Sequence, residues 1–515
     1  MKIRLLFCCC LIALAGIFFS FSAVQAIEYS VGGKPLTVTG YITQGAAYGV
    51  HKNYDTYYGI QQALTNIFLE TQYRPTDNLS LYGSGRFTTD WAYEINSGGT
   101  TWSDRLFNKS RSRMGVDDNY WQILHELHVT WKPENFLFRV GKQILSWGEM
   151  DGFRIMDQIN PADFRRGFAD VEFENNLIPI WLVKSEWYPK TNISWLQDLA
   201  LEFTFNPNAD FISDLNPLFG NDDGGIWNPF VRTFDPTLPF GEGYLGSAYY
   251  TTDKPPRWSS SGFEYAFRTK AVINDFILTL NYFYGIDNSP VFKFRYDQFN
   301  PDRDISVASN GRLLFHFPID TEFKRLHFAG LTLSRDIPFL ASSALGGVAP
   351  IFRFEGFYAF DTTFETNTIP DEWKKSDEIR AGLGFDWKIK VPFINDKANI
   401  FISPQVYYRR IMDYKESPGV DAWTDAQQNF VEKDNWQTSL FMSTPYLNAK
   451  LTPSFFWLHD FAWDSNFYRA QVTYDWSSSW RISGGYVWLS GNKPNYGFEP
   501  FANKDYAFMK LTYKF

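Results

Sequence analysis

The sequence predicts an all-β fold: a transmembrane antiparallel β-barrel of sixteen to eighteen strands, eighteen by direct count. Three observations predict it. The chain carries 50 Phe, 29 Tyr and 19 Trp in 515 residues, yet its mean hydropathy is −0.29, on the polar side. No stretch after residue 26 approaches the roughly 20 apolar residues that a membrane helix needs. Apolar and polar residues alternate along most of the chain, the period of a strand with one dry and one wet face. Closed barrels are the non-helical way across a bilayer, because closure satisfies every backbone polar group.

Residues 1–26 read as a secretory signal peptide. Lys2 and Arg4 precede an apolar run, and Val24-Gln25-Ala26 offers a small-residue cleavage site. The remaining 27–515 form a single barrel domain. All three cysteines lie at Cys8 to Cys10. A chain beginning at Ile27 therefore has no disulfide, thiol nucleophile or thiolate-bound metal. The leader's only charges are the two basic ones, so the net charge of −9 becomes −11 without it. That acidity argues against nucleic acid as a partner.

Strands are placed in order at 36–50, 62–75, 78–92, 119–132, 135–146, 179–190, 197–206, 258–271, 275–286, 321–336, 349–363, 377–390, 398–412, 434–446, 449–462, 465–476, 479–490 and 504–515. The segment from Leu199 to Asn206 alternates without error. From Glu378 to Ile389, Ile379, Ala381, Leu383, Phe385, Trp387 and Ile389 share one face. Aromatics near both strand ends match interfacial girdles. Short connections, such as Lys132 to Asn135, with Asp336 to Pro350 as the exception in length, alternate with long ones around 93–118, 147–178, 207–257, 287–320 and 413–433. Even strand number with short turns at one end and long extracellular loops at the other is the bacterial pattern. Three places fit badly. Pro404 falls in mid-strand and suggests a bulge or shifted boundary, His125 is aimed at lipid by the apolar register, and the register of 323–333 is unclear.

The alternation assigns fourteen charged side chains to the inner face: Arg139, Glu202, Glu264, Arg268, Arg353, Glu355, Glu378, Arg380, Asp386, Lys388, Arg469, Asp475, Arg481 and Lys510. Such a lumen admits polar solutes. The competing reading is that these charges only pair across strands and stiffen the wall. The 147–178 connection is too apolar for a solvated loop, since Phe153, Ile155, Met156, Ile159, Phe164, Phe168 and Phe173 need burial. It is expected to fold into the lumen as a constriction carrying Trp147, Glu149, Arg154, Asn160, Asp163, Arg165 and Arg166; the alternative is an external cap.

The sequence argues against chemistry. There is no Gly-x-Ser-x-Gly elbow. His125 and His128, in His-Glu-Leu-His, point to opposite faces of a regular strand and so cannot share one ion. Asn221, Asp222 and Asp223 offer oxygen ligands without a calcium-loop spacing. No enzyme activity, cofactor or metal is expected.

The chain ends on Met509, Leu511, Tyr513 and Phe515, alternating to a final aromatic. That ending resembles the C-terminal signature of bacterial outer-membrane proteins read by the barrel-insertion machinery. The block from Arg139 to Gly167 carries Gly141, Lys142, Gln143, Trp147, Gly148 and Glu149, then Ile159, Asn160, Pro161 and Asp163. It resembles a family of Gram-negative outer-membrane barrels, domain of unknown function 1302. The resemblance implies the outer membrane as location and points toward hydrophobic or lipid-like cargo, sometimes with an inner-membrane transporter as partner.

The functional expectation is thus an outer-membrane channel passing small solutes through a charged lumen. The alternatives are a hydrophobic-compound transporter, for which Trp227, Phe230, Phe234 and Phe240 supply loop aromatics, and a structural barrel with a blocked lumen. Expected partners are outer-membrane lipid, the insertion machinery and an inner-membrane transporter.

Overall fold

The computed structural model describes residues 27–515 apart from 53–56, 97–122, 153, 165–175, 215–244, 308–312, 343–345, 367–372, 415–422, 425–429 and 494–496. The leader, Phe153, Arg165, Arg166, Phe168, Phe173, Asn221 to Asp223 and the loop aromatics Trp227, Phe230, Phe234 and Phe240 lie outside the described residues.

Eighteen strands build the wall among the described residues: β1 Lys34–Val50, β2 Leu64–Thr76, β3 Leu79–Asp90, β4 Leu124–Trp131, β5 Phe136–Gln143, β6 Ile180–Trp187, β7 Leu196–Asn206, β8 Glu264–Ile273, β9 Phe276–Ile286, β10 Arg325–Asp336, β11 Ile351–Thr366, β12 Trp373–Ile389, β13 Ile400–Ile411, β14 Asp434–Ser443, β15 Leu451–Asp460, β16 Ser465–Asp475, β17 Trp480–Gly491 and β18 Tyr506–Lys514. Each pairs antiparallel with the next. β18 returns to β1, from Tyr41 opposite Lys514 to Gly49 opposite Tyr506. No edge remains along this seam, which removes the unpaired backbone that an open sheet exposes.

Because side chains alternate, the register divides the wall into two faces. The outer one is apolar: Leu69, Leu81, Val129, Phe136, Phe138, Val140, Leu383, Val472 and Met509 are exposed. Phe515 shows how closure is trimmed. Its N–H donates to the Gly40 carbonyl at 3.0 Å, and a Cβ on Gly40 would stand 2.9 Å from the Phe515 ring and 2.5 Å from the Phe68 carbonyl oxygen.

The misfits resolve in three ways. Pro404 makes neither a bulge nor a boundary: Gly384 pairs with Gln405 and Trp387 with Ile402 in the same register, and the ladder lapses between them. Pro404 has no N–H to give there. His125 is not turned to lipid. Gly83 pairs with Leu127 and Gly85 with Leu124, so His125 and Glu126 together oppose the single residue Ser84. This β-bulge swings His125 inward, where its ring lies edge-on to Phe68, 6.0 Å between centroids. The 323–333 stretch resolves as a break at 323–324 followed by β10.

Residues 258–263 precede β8 rather than begin it, with a 3-10 turn at Ser260–Gly262. The stretches expected as plain loops carry a separate sheet of Leu245–Asp253, Val291–Phe294, Ile305–Val307 and Leu313–Glu322. Its first and last strands run parallel. No helix among the described residues is long and apolar enough to cross a membrane.

Candidate functional site: an arm across the lumen

Between β5 and β6 the chain leaves the wall and enters the barrel. Its first turn is tied by Asn160, which is 1% exposed. The Asn160 side chain accepts from the Leu145 N–H at 2.8 Å and donates to the carbonyls of Gln143 and Ile178 at 3.1 and 2.9 Å. Asp163 continues the tie, its N–H donating to Asn176 at 2.7 Å. Trp147 is buried and donates its indole N–H to Glu202 on β7 at 3.1 Å. The Asp157 carboxylate accepts from the N–H groups of Trp147 and Gly148 at 2.6 and 3.0 Å, and Asp157 Oδ2 would lie 2.4 Å from any Cβ on Gly148. Arg154 binds within the arm, to the carbonyls of Asp157 at 2.9 Å and of Asn160, and reaches Asp214 at 3.6 Å.

The tip then crosses to the far wall. Glu355 on β11, fully buried, accepts from the N–H groups of Glu149 and Met150. Arg353, also on β11, donates to the Glu149 carbonyl and binds Asp151 at 2.8 Å and Asp386 at 2.7 Å. The Asp151 N–H donates to Gln405 on β13 at 3.1 Å, and Tyr407 donates to the Asp151 carbonyl at 2.5 Å. A Cβ on Gly152 would be 3.7 Å from Phe456 on β15. An arm rooted at β5 and β6 therefore ends against β13 to β15, across the ring of strands.

Its seat is apolar and short of side chains. Leu145, Trp147, Ile155, Met156 and Ile159 join Leu182, Phe283, Phe328, Phe357 and Tyr407 of the wall in one buried cluster, with Met150 packed on it. Three glycines make the room. A Cβ on Gly330 would meet Met156 Sδ at 2.5 Å, on Gly382 Ile155 Cδ1 at 2.6 Å, and on Gly384 Met150 Sδ at 3.3 Å. A second inward fold lies across β15 to β18. Phe498 and Phe501 pack with Leu458, Phe467, Val487, Leu489 and Phe508. Tyr57 donates to the Pro500 carbonyl at 2.7 Å.

All fourteen charged positions assigned inward from the sequence fall on the inner face by register. Arg139 donates to Thr130 at 2.9 Å. Glu202 takes Lys184 at 3.3 Å. Glu264 accepts from Ile286 at 2.8 Å, and Arg268 donates to the Ser146 carbonyl at 3.4 Å. Glu378, wholly buried, holds Arg380 at 2.7 Å and Arg409 at 2.5 Å. Arg469 donates to Gln471 at 2.7 Å, and Arg481 binds Asp475 at 2.7 Å. Lys510 packs beside Gly45, and Lys388 is exposed near the short-turn end of β12. Most of these charges are thus engaged with neighbours, and Arg353, Glu355 and Glu202 hold the arm. Of the C-terminal residues, Met509 and Leu511 are exposed outward, while Tyr513 packs between Trp480 and Phe515.

Sequence reasoning gave no role to Gln405, Tyr407, Gly330 and Gly382, whose importance depends on which wall the arm reaches, nor to Asp157, whose carboxylate folds the arm's own turn. Lys142, quoted from the sequence only as part of the motif block, is fully buried and donates to the Leu124 carbonyl at 2.6 Å. No group of three or more metal-ligating side chains occurs among the described residues.

A family model described as "Protein of unknown function (DUF1302)" matches residues 51–515. No curated protein matches the chain. Among solved structures, the outer-membrane protein OmpT of Vibrio cholerae with its loop L8 deleted matches at 8% identity and a TM-score of 0.39, over 94% of this chain and 99% of that one. OmpF of Salmonella typhi, in complex with daunomycin, matches at 11% identity and a TM-score of 0.37, over 95% and 100%. The fold assignment rests on strand pairing, not on these scores.

Proposed function

The chain belongs to the DUF1302 family, and from that premise we propose that it is a narrow outer-membrane channel for small solutes whose flux is set by the arm. A closed wall with an apolar exterior and a polar inner face favours a bilayer as its surroundings. The leader supports export, and the terminal Phe515 supports delivery by the insertion machinery. The single observation that carries the reading is the arm itself, rooted at β5 and β6 and held by Glu202 on β7, Arg353 and Glu355 on β11, and Gln405 and Tyr407 on β13. A segment in that position narrows whatever path the charged lumen offers. The test is single-channel recording in planar bilayers. Replacing residues 149–158 by two glycines should raise conductance severalfold; unchanged conductance would rule out the arm as the constriction.

A second reading, transport of hydrophobic compounds with an inner-membrane partner, is favoured by the two apolar clusters inside the barrel. Swelling of protein-containing liposomes in sugar solutions, set against their uptake of labelled alkanes, separates the two. Sugar swelling without alkane uptake supports the channel.

A further inference from the structure

Three consecutive short connections form a braced rim at one end of the barrel: 337–350 after β10, 390–399 after β12 and 444–450 after β14. The buried Asn395 donates to the Thr444 hydroxyl at 2.9 Å and to the Pro445 carbonyl at 2.8 Å. Tyr446 donates to the Ile394 carbonyl at 2.8 Å, and Asn399 to the Gly346 carbonyl at 3.3 Å. These bonds hold the three connections against one another. What the connections then present is apolar. Phe339 is 86% exposed, Phe393 89% and Leu447 65%, with Ile394 and Val348 exposed as well. Leu447 is presented at a conformational cost. It, Asn448 and Ala449 hold φ at 52°, 56° and 64°, in the left-handed region that residues with a Cβ avoid. Clustered exposed apolar side chains mark a surface that meets something other than water.

The same three connections carry Lys390, Lys397 and Lys450 against one acid, Asp396. The other short connections carry Lys132 and Lys190 against Asp77, Glu134 and Asp275. Lys390 donates to the Asp396 carbonyl at 2.7 Å. Lys397 and Lys450 are exposed and form no ion pair among the described residues. Trp387 stands near the end of β12, which closes at Ile389, so Phe393 and Lys397 lie past it. There the chain has left the apolar band and reached the depth of the lipid phosphates. We propose that this rim docks on the anionic diacyl phospholipids of the leaflet at the short-turn end. Phe339, Phe393 and Leu447 enter the headgroup layer, and Lys397 and Lys450 hold phosphates there. Two observations choose lipid over a soluble protein. The apolar tips extend strands whose outer faces are apolar, and the lysines complement a phosphodiester. The proposal goes beyond the channel reading and rests only on its bilayer setting.

The probes are dioleoylphosphatidylglycerol and zwitterionic dioleoylphosphatidylcholine, titrated into the detergent-purified protein and counted by native mass spectrometry. Phosphatidylglycerol should bind about thirtyfold more tightly, the worth of two interfacial lysines. Lys397→Gln with Lys450→Gln should abolish that preference and leave phosphatidylcholine unchanged. Phe339→Ser with Phe393→Ser should weaken both lipids severalfold. All four side chains are exposed, so the wall should survive each pair of changes, with β content read by circular dichroism. Equal binding of the two lipids, or a preference that survives the lysine changes, would overturn the rim as a lipid anchor; turns that serve a soluble protein partner instead give that result. Lipid binding unmoved by the phenylalanine changes would overturn it too. Single-channel current without the lipid preference would sink this inference alone. Lipid preference without current would sink the channel reading and leave the rim standing.

Discussion

Glu355 concentrates the residue-scale argument. One carboxylate, fully buried, receives two consecutive backbone N–H groups from a segment some two hundred residues earlier. Removing it leaves those donors unpaired, at about 1–3 kcal/mol each. Glu355→Ala is therefore expected to release the arm tip, giving larger and noisier single-channel currents. Glu355→Gln, which keeps one carbonyl acceptor, should fall between it and the native protein. Gly330 makes the same point from the apolar side. Beyond Met156, a Cβ there meets the Gly356 carbonyl oxygen at 2.9 Å, and backbone does not yield as a thioether does. Gly330→Val should loosen the arm and strain β11 beside it, raising single-channel conductance and lowering the fraction recovered as folded barrel. Glu378 differs, because its two arginines belong to the wall. Its loss would remove the buried carboxylate that Arg380 and Arg409 share, at about 3–5 kcal/mol for a broken buried pair. Glu378→Ala should thus lower thermal stability, read by circular dichroism, without opening the lumen.

At the scale of elements, most of the wall was legible because period-2 alternation is a local property. Every expected strand has its counterpart, with boundaries off by a few residues; the largest errors stand at β8, where 258–263 is a turn, and at the starts of β10 and β12. What was not legible depended on pairing. The His125 bulge exists only because β3 and β4 slip by one residue, and a single strand carries no trace of its partner's register. The small sheet built from 245–253 and 313–322 joins segments far apart in sequence, one pair of them parallel. The arm was foreseen as an apolar stretch needing burial, but its landing place on Glu355, Gln405 and Gly382 was not. The motif block that suggested the family is explained afterwards: Gln143, Trp147, Gly148, Ile159 and Asn160 are the residues that root and fold the arm. The closing element makes its own prediction. Gly40→Val should displace the Phe515 ring and reduce the fraction of chain recovered as folded barrel. Full recovery would show that the terminal ring needs no seat.

At the scale of the molecule, the barrel divides its labour. The outer face is apolar, the inner face is held by charge pairs, and two inward folds occupy the lumen, one rooted at β5 and β6 and the other lying across β15 to β18. Cys8 to Cys10 are the chain's three cysteines, so in a chain processed at Ala26, as the proposed export requires, two introduced thiols have only each other. With Asp151→Cys and Gln405→Cys, a short bis-maleimide added during single-channel recording tests whether the arm spans the lumen. Efficient linkage with the open-channel current unchanged is the predicted result. Thiols that stay unlinked, or linkage that abolishes the current, would contradict an arm that rests on β13 while the channel conducts.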